Sequence, residues 1–220
     1  MNNDDIKTNV SKILSELPDT VTLVAAGKTR SLQELETAIQ AGVTIIGHNY
    51  VQEAQSSIEA LGPMAGWHFI GHLQRNKAKK AVELFDLIET VDSIRLADAL
   101  NKAAEQMDKV QDVLIEVNSA EEKNKAGVMP KDVPDLTRYI AQLKNLRLQG
   151  LMTMGPWSED PEDMRPYFRI AHELFESLSK DEATKKNMLY LSMGMSDSYK
   201  VAIEEGANLV RIGTAIFGPR

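Results

Sequence analysis

The chain contains no cysteine among its 220 residues, which excludes a disulfide framework and a thiolate metal site. It also lacks any apolar stretch near the roughly 20 residues that cross a bilayer, so no membrane association is expected. The polar opening Met1-Asn2-Asn3-Asp4-Asp5 has neither the basic nor the apolar region of a signal peptide, and the cytoplasm is the expected location. Positive charge is in short supply: 25 Lys and Arg face 32 Asp and Glu, a formal charge of −7, which argues against a nucleic-acid partner. The one basic cluster, 75–80, reads as the solvated side of a helix. Linkers and low-complexity segments are missing as well. With 43% hydrophobic and 26% charged residues, the composition is that of a globular protein with a full core.

What is present is alternation. After a helix through about Leu17, closed by Pro18, short apolar runs occupy 21–26, 43–46, 67–70, 87–91, 113–117, 148–152, 188–193 and 209–212. Between them lie amphipathic stretches such as 32–40, 94–106, 133–143 and 161–178, each long enough to cross back over a sheet. Eight β/α units in strict order predict parallel strands closed into a single (β/α)8 barrel. The organisation expected is one domain, 1–220, with 1–17 as a helix packed on the barrel. An open doubly wound sheet is the alternative architecture.

A barrel gathers its chemistry at the carboxyl ends of its strands, with phosphate most often held after the seventh and eighth. Lys28 stands at the end of the first run. A lysine amine in a partly desolvated setting attacks carbonyls and forms Schiff bases. The seventh run ends in Ser192-Met193-Gly194-Met195-Ser196-Asp197, and the eighth in Arg211-Ile212-Gly213-Thr214. Glycine lets backbone amides approach an anion, hydroxyls add donors, and a following helix offers its positive end. Closure makes the eighth strand the neighbour of the first, so Lys28 is expected beside Gly213 and Thr214. A compact ligand with an aldehyde at one end and a phosphate at the other would bridge them, and pyridoxal phosphate is such a ligand. Arg211 is then placed to meet the pyridine nitrogen. Arginine lends no proton to that nitrogen, so the ring would be a poor electron sink.

Ala26-Gly27-Lys28-Thr29, Gly47-His48-Asn49-Tyr50-Val51-Gln52-Glu53, His68-Phe69-Ile70-Gly71-His72-Leu73-Gln74-Arg75-Asn76-Lys77, Gly150-Leu151-Met152-Thr153-Met154, Leu191-Ser192-Met193-Gly194-Met195-Ser196 and Arg211-Ile212-Gly213-Thr214-Ala215-Ile216-Phe217-Gly218 together resemble the pyridoxal phosphate homeostasis protein family (YggS/PROSC type). The resemblance runs from the first strand to the last residues. It implies a barrel like that of alanine racemase, with pyridoxal 5'-phosphate held as a Schiff base on Lys28. It further implies Ser192, Gly213 and Thr214 at the phosphate, Arg211 at the pyridine nitrogen and Asn49 in the pocket wall. Members of that family are thought to buffer and deliver the cofactor without an established reaction, which implies apo pyridoxal-phosphate enzymes as partners. A monomer is the expected state. The sequence departs from the family at position 48, where His48 stands in place of the usual glutamate and removes a negative charge expected near the cofactor.

Two further classes of function share the lysine. A pyridoxal-phosphate racemase needs a second base, which alanine racemase draws from a β domain after its barrel; this sequence ends at Arg220, and that domain is not expected here. A Schiff-base aldolase wants carboxylates at neighbouring strand tips, and few are evident. His68 and His72 are four apart but straddle a strand end and Gly71, so no metal site is expected. Met152, Met154, Met193 and Met195 read as flexible packing around the pocket mouth. The polar loop 118–127, with Lys123 and Lys125, reads as solvated.

Overall fold

The computed structural model describes residues 2–156, 158–181 and 184–219. Eight parallel strands, β1 (Thr22–Ala26), β2 (Ile45–His48), β3 (Gly66–Phe69), β4 (Leu87–Val91), β5 (Gln111–Glu116), β6 (Leu146–Met152), β7 (Tyr190–Ser192) and β8 (Leu209–Ile212), pair in sequence order and close into a barrel. The seam is β1 against β8, in register from Thr22↔Leu209 to Ala25↔Ile212. The helices are α1 (Asn3–Glu16), α2 (Leu32–Gln40), α3 (Val51–Leu61), α4 (Ala78–Leu84), α5 (Ile94–Gln106), α6 (Val133–Ile140), α7 (Arg165–Lys180), α8 (Tyr199–Glu204) and α9 (Thr214–Phe217). The barrel predicted from the alternation is the fold found, and the open sheet is excluded.

Local sequence explains the element ends. Ser31 and Glu34 form a reciprocal capping box that starts α2, and Asn2 with Asp5 does the same for α1. Strand alternation then separates two apolar layers. Leu35, Ile46, Phe69, Leu100 and Phe168 belong to the main core between strands and helices, while Val24, Ile70 and Leu209 form a separate cluster within the barrel. β2 begins two residues later than its apolar run suggests, because Val43 serves the turn before it: its N–H bonds to Ala38 O at 3.1 Å after Gly42 leaves α2 at φ +113. The stretch 161–178 divides into a 3-10 turn, Pro161–Met164, and α7.

α1 lies across the seam. Its Asn9 amide donates to Ile216 O of α9 at 3.0 Å, and Glu16 accepts from the Tyr199 hydroxyl of α8 at 2.7 Å. Arg30 adds a second tie, donating to the carbonyls of Phe217 and Gly218 at 3.1 and 2.6 Å. α1 is thus tied to α8 and α9, and the segment after β1 to the end of α9.

Candidate functional site

A cavity of about 270 Å³ opens at the carboxyl ends of the strands, across the seam. That is just below the roughly 300–1,000 Å³ range of small-molecule sites. Lys28, Asn49, Ser196, Arg211, Gly213 and Thr214 line it. Lys28 follows β1, and among the described residues no carboxylate pairs with its amine, which sits 5.3 Å from the Tyr50 ring centroid. The chain turns sharply just after it: Thr29 adopts φ 62, a left-handed conformation that a β-branched residue rarely takes, and its N–H donates to Glu53 Oε2 at 3.3 Å. Lys28, Arg30 and Arg211 give the walls three cations against the single carboxylate of Asp197, although the chain as a whole is acidic. Such a cavity suits an anionic ligand.

The loop after β7 reaches the opening of α9. Gly194, at φ +91, makes the turn; a Cβ there would lie 2.6 Å from the Ala202 Cβ and 2.9 Å from Tyr199 Cα, so only glycine fits. The turn returns Ser196 to the cavity, where its Oγ accepts from Gly213 N and Ala215 N at 3.2 and 3.1 Å. Two backbone amides therefore converge on one oxygen at the cavity wall.

Ser192, by contrast, does not line the cavity. It is fully buried in the barrel interior, where its hydroxyl donates to Glu89 Oε2 at 2.6 Å and accepts from Arg211 Nη1 at 2.5 Å. Ser192, expected at the phosphate, has its hydroxyl committed below the floor, and Ser196 is the serine at the wall. Arg211 is 3% exposed and forms that floor, its Nη2 donating to Thr153 O at 2.8 Å. Burial pushes its pKa below the ordinary arginine value, while Glu89 and Glu116 pull the other way.

His48 also lies elsewhere than its sequence context suggests. Gly47 faces the barrel interior, where a Cβ would meet Val24 and Ile70, so the next residue faces out. His48 stacks on Trp67, buried in the layer between strands and helices, and does not line the cavity. His48 itself therefore contributes nothing to the cavity walls.

Two buried carboxylates escaped the sequence reading. Glu89 of β4 is fully buried, with Oε1 2.8 Å from His68 Nδ1 and Oε2 4.0 Å from Arg211 Nη1. Glu116 of β5 is pushed up to about 7 by burial, reinforced by Asp92 and opposed by Arg211, and lines a second cavity of about 280 Å³ beyond Met154. Their signal was present, a charge inside each of two apolar runs. Of the methionines, Met154 and Met195 stand at the mouth, and Met152 and Met193 are fully buried. Lys125 is paired with Glu122 at 2.6 Å, and His72 is largely exposed while His68 is interior.

The family model for the N-terminal domain of alanine racemase matches residues 1–220. The pyridoxal phosphate homeostasis protein of Aquifex aeolicus is 44% identical over 199 residues, covering 90% of this chain and 86% of that protein. PipY of Synechococcus elongatus, solved without PLP, superposes with a TM-score of 0.90 at 34% identity, covering 97% of this chain and all of that one. The same protein solved with PLP bound gives 0.87 at 32% identity over the same share of this chain and again all of that one.

Proposed function

Because this chain belongs to the pyridoxal phosphate homeostasis protein family, on the alanine racemase N-terminal-domain fold, we propose that it binds pyridoxal 5'-phosphate on Lys28 and hands it on without turning over amino acids. The observation that carries the reading is the placement of one unpaired lysine amine in the same small, cationic cavity as a pair of converging amides. When bound, the cofactor supplies an aldehyde that condenses with a primary amine and a pyridine ring that withdraws electrons. Lys28 would supply that amine. Gly213 N and Ala215 N, with the hydroxyls of Ser196 and Thr214, would hold the phosphate.

Arg211 is fixed from below by Ser192 and Thr153, and from the floor its guanidinium would meet the ring nitrogen. A guanidinium only donates and keeps its proton, which leaves the ring nitrogen unprotonated and the ring a weak acceptor of carbanion charge. Asn49 closes the wall on the β2 side. In this reading the protein is a cytoplasmic monomer whose partners are apo pyridoxal-phosphate enzymes. The experiment follows α-proton exchange of alanine and serine into deuterated water with the loaded protein, beside activation of an apo enzyme. Activation with exchange far below the 1 to 10³ s⁻¹ of ordinary enzymes is the expected result; turnover in that range would place the chain among the catalysts.

A further inference from the structure

Beneath the cavity the barrel interior holds a chain of polar contacts that rises to Arg211 of the floor: His68, Glu89, Ser192 and Arg211, each at least nine-tenths buried. We infer that Glu89 is the positioning residue of this site, the counter-charge that holds the Arg211 guanidinium in place through Ser192. The inference rests on the cofactor reading above and extends it below the cavity walls.

The directions of the hydrogen bonds carry the argument. A carboxylate has no proton to give, so Glu89 accepts from both sides, from His68 Nδ1 at 2.8 Å and from the Ser192 hydroxyl at 2.6 Å. Ser192 has one proton. Giving it to Glu89 leaves its lone pairs toward Arg211, whose Nη1 donates into them. Were the hydroxyl turned round, its hydrogen would face the hydrogens of the guanidinium, and the arginine would have to move. Glu89 therefore decides which way Ser192 points, and Ser192 decides where Arg211 sits. Charge works in the same sense. Arg211 is buried inside a low-dielectric barrel, a setting that a lone charge does not tolerate, and Glu89 Oε2 lies 4.0 Å from its Nη1. Glu116 is the other nearby carboxyl, yet it has an oxygen with no hydrogen-bond partner among the described residues and makes no contact with Arg211 within ion-pair distance. Glu89 alone reaches the arginine through a bonded path.

Glu89→Gln keeps the shape and removes both the charge and one of the two acceptors. Its amide either turns NH2 toward Ser192, forcing the hydroxyl round against Arg211, or turns it toward His68 Nδ1, which must then shift its proton to Nε2; in both cases Arg211 loses its buried counter-charge. In the cofactor-free full-length protein, the guanidinium NMR signal of Arg211 is expected to be sharp in the wild type and broadened or displaced in Glu89→Gln. Because Arg211 meets the ring end of the ligand, pyridoxal and pyridoxal phosphate should weaken by the same factor, about tenfold. A charge effect alone would instead tighten the phosphate compound selectively, and a merely structural role would lower the melting temperature and leave both affinities in place. Glu89→Gln with Arg211→Met removes both charges together and is expected to regain the stability that Glu89→Gln gives up, since removing the pair leaves no bare ion. A double variant as unstable as the single one, or an Arg211 signal unmoved by Glu89→Gln, overturns the inference. A wild-type chain that binds neither compound, while its Arg211 signal still depends on Glu89, overturns the cofactor reading alone.

Discussion

His48 is a base with no partner. Its ring is 1% exposed, lies 5.9 Å from the Trp67 ring at an interplanar angle of 18°, and has no hydrogen bond at either nitrogen among the described residues. Burial pushes its pKa down from 6.5 to about 4. Folding thus excludes a proton that the unfolded chain binds, so the stability tied to this ring is whole above pH 6.5 and is lost as pH falls from 6.5 through 4. At pH 5 the loss is about 2 kcal/mol. Stacking on Trp67 does not need the ring nitrogens, and His48→Phe keeps the stack while removing the titration. Urea unfolding at pH 7 and pH 5 is expected to show a pH-dependent loss smaller by about that amount in the variant. Glu116 titrates in the opposite sense, costing stability as pH rises from 4.5 to about 7, but it is common to both proteins and cancels in the comparison. Equal pH dependence in the two would show that His48 takes up no proton on unfolding.

At the scale of elements, the tips of β2 and β3 touch backbone to backbone. Gly71 follows β3, and a Cβ on it would lie 2.3 Å from Asn49 O. Its own carbonyl is held by Thr90 Oγ1 at 2.6 Å, so it has no room to withdraw. Gly71→Ala must therefore displace Asn49 from the cavity wall. The variant is expected to lose about 1 to 3 kcal/mol of stability and to bind pyridoxal phosphate more weakly than the wild type, measured by thermal unfolding and by titration. Unchanged values in both would show that the tip of β2 retreats freely. The same elements show what the sequence made legible. β4, β8, α2 and α5 begin and end where their apolar pattern and caps place them, because at each of these ends periodicity and turn chemistry agree. β2 does not, since Val43 is apolar for the sake of the turn. That two-residue shift matters at the site: with the strand ending at 46, the facing of His48 is undefined, whereas a strand of Ile45–His48 turns it outward. β7 is only three residues long, and nothing in Ser192-Met193-Gly194-Met195-Ser196 says that the strand stops at the first serine and the loop delivers the second. Lys28, Arg211, Gly213 and Thr214 were legible because each follows directly from where a strand ends.

For the molecule as a whole, closure is what makes a site. Lys28 and Arg211 are far apart in the chain and meet only because β1 pairs with β8, with α1 and Arg30 fastening the seam beside them. Gly194 turns the chain tightly against α8, Gly213 passes close to Ala26 of β1, and the interior hydrogen bonds of Glu89 and Ser192 support the floor from within. In the proposed function this assembly holds pyridoxal phosphate on one lysine. Borohydride reduction of the loaded protein, followed by digestion and peptide mass analysis, tests it most directly. A pyridoxyl group on Lys28 and loss of the visible absorbance in Lys28→Ala are the expected results. A pyridoxyl group found mainly on another lysine, such as Lys77 or Lys125, would contradict it.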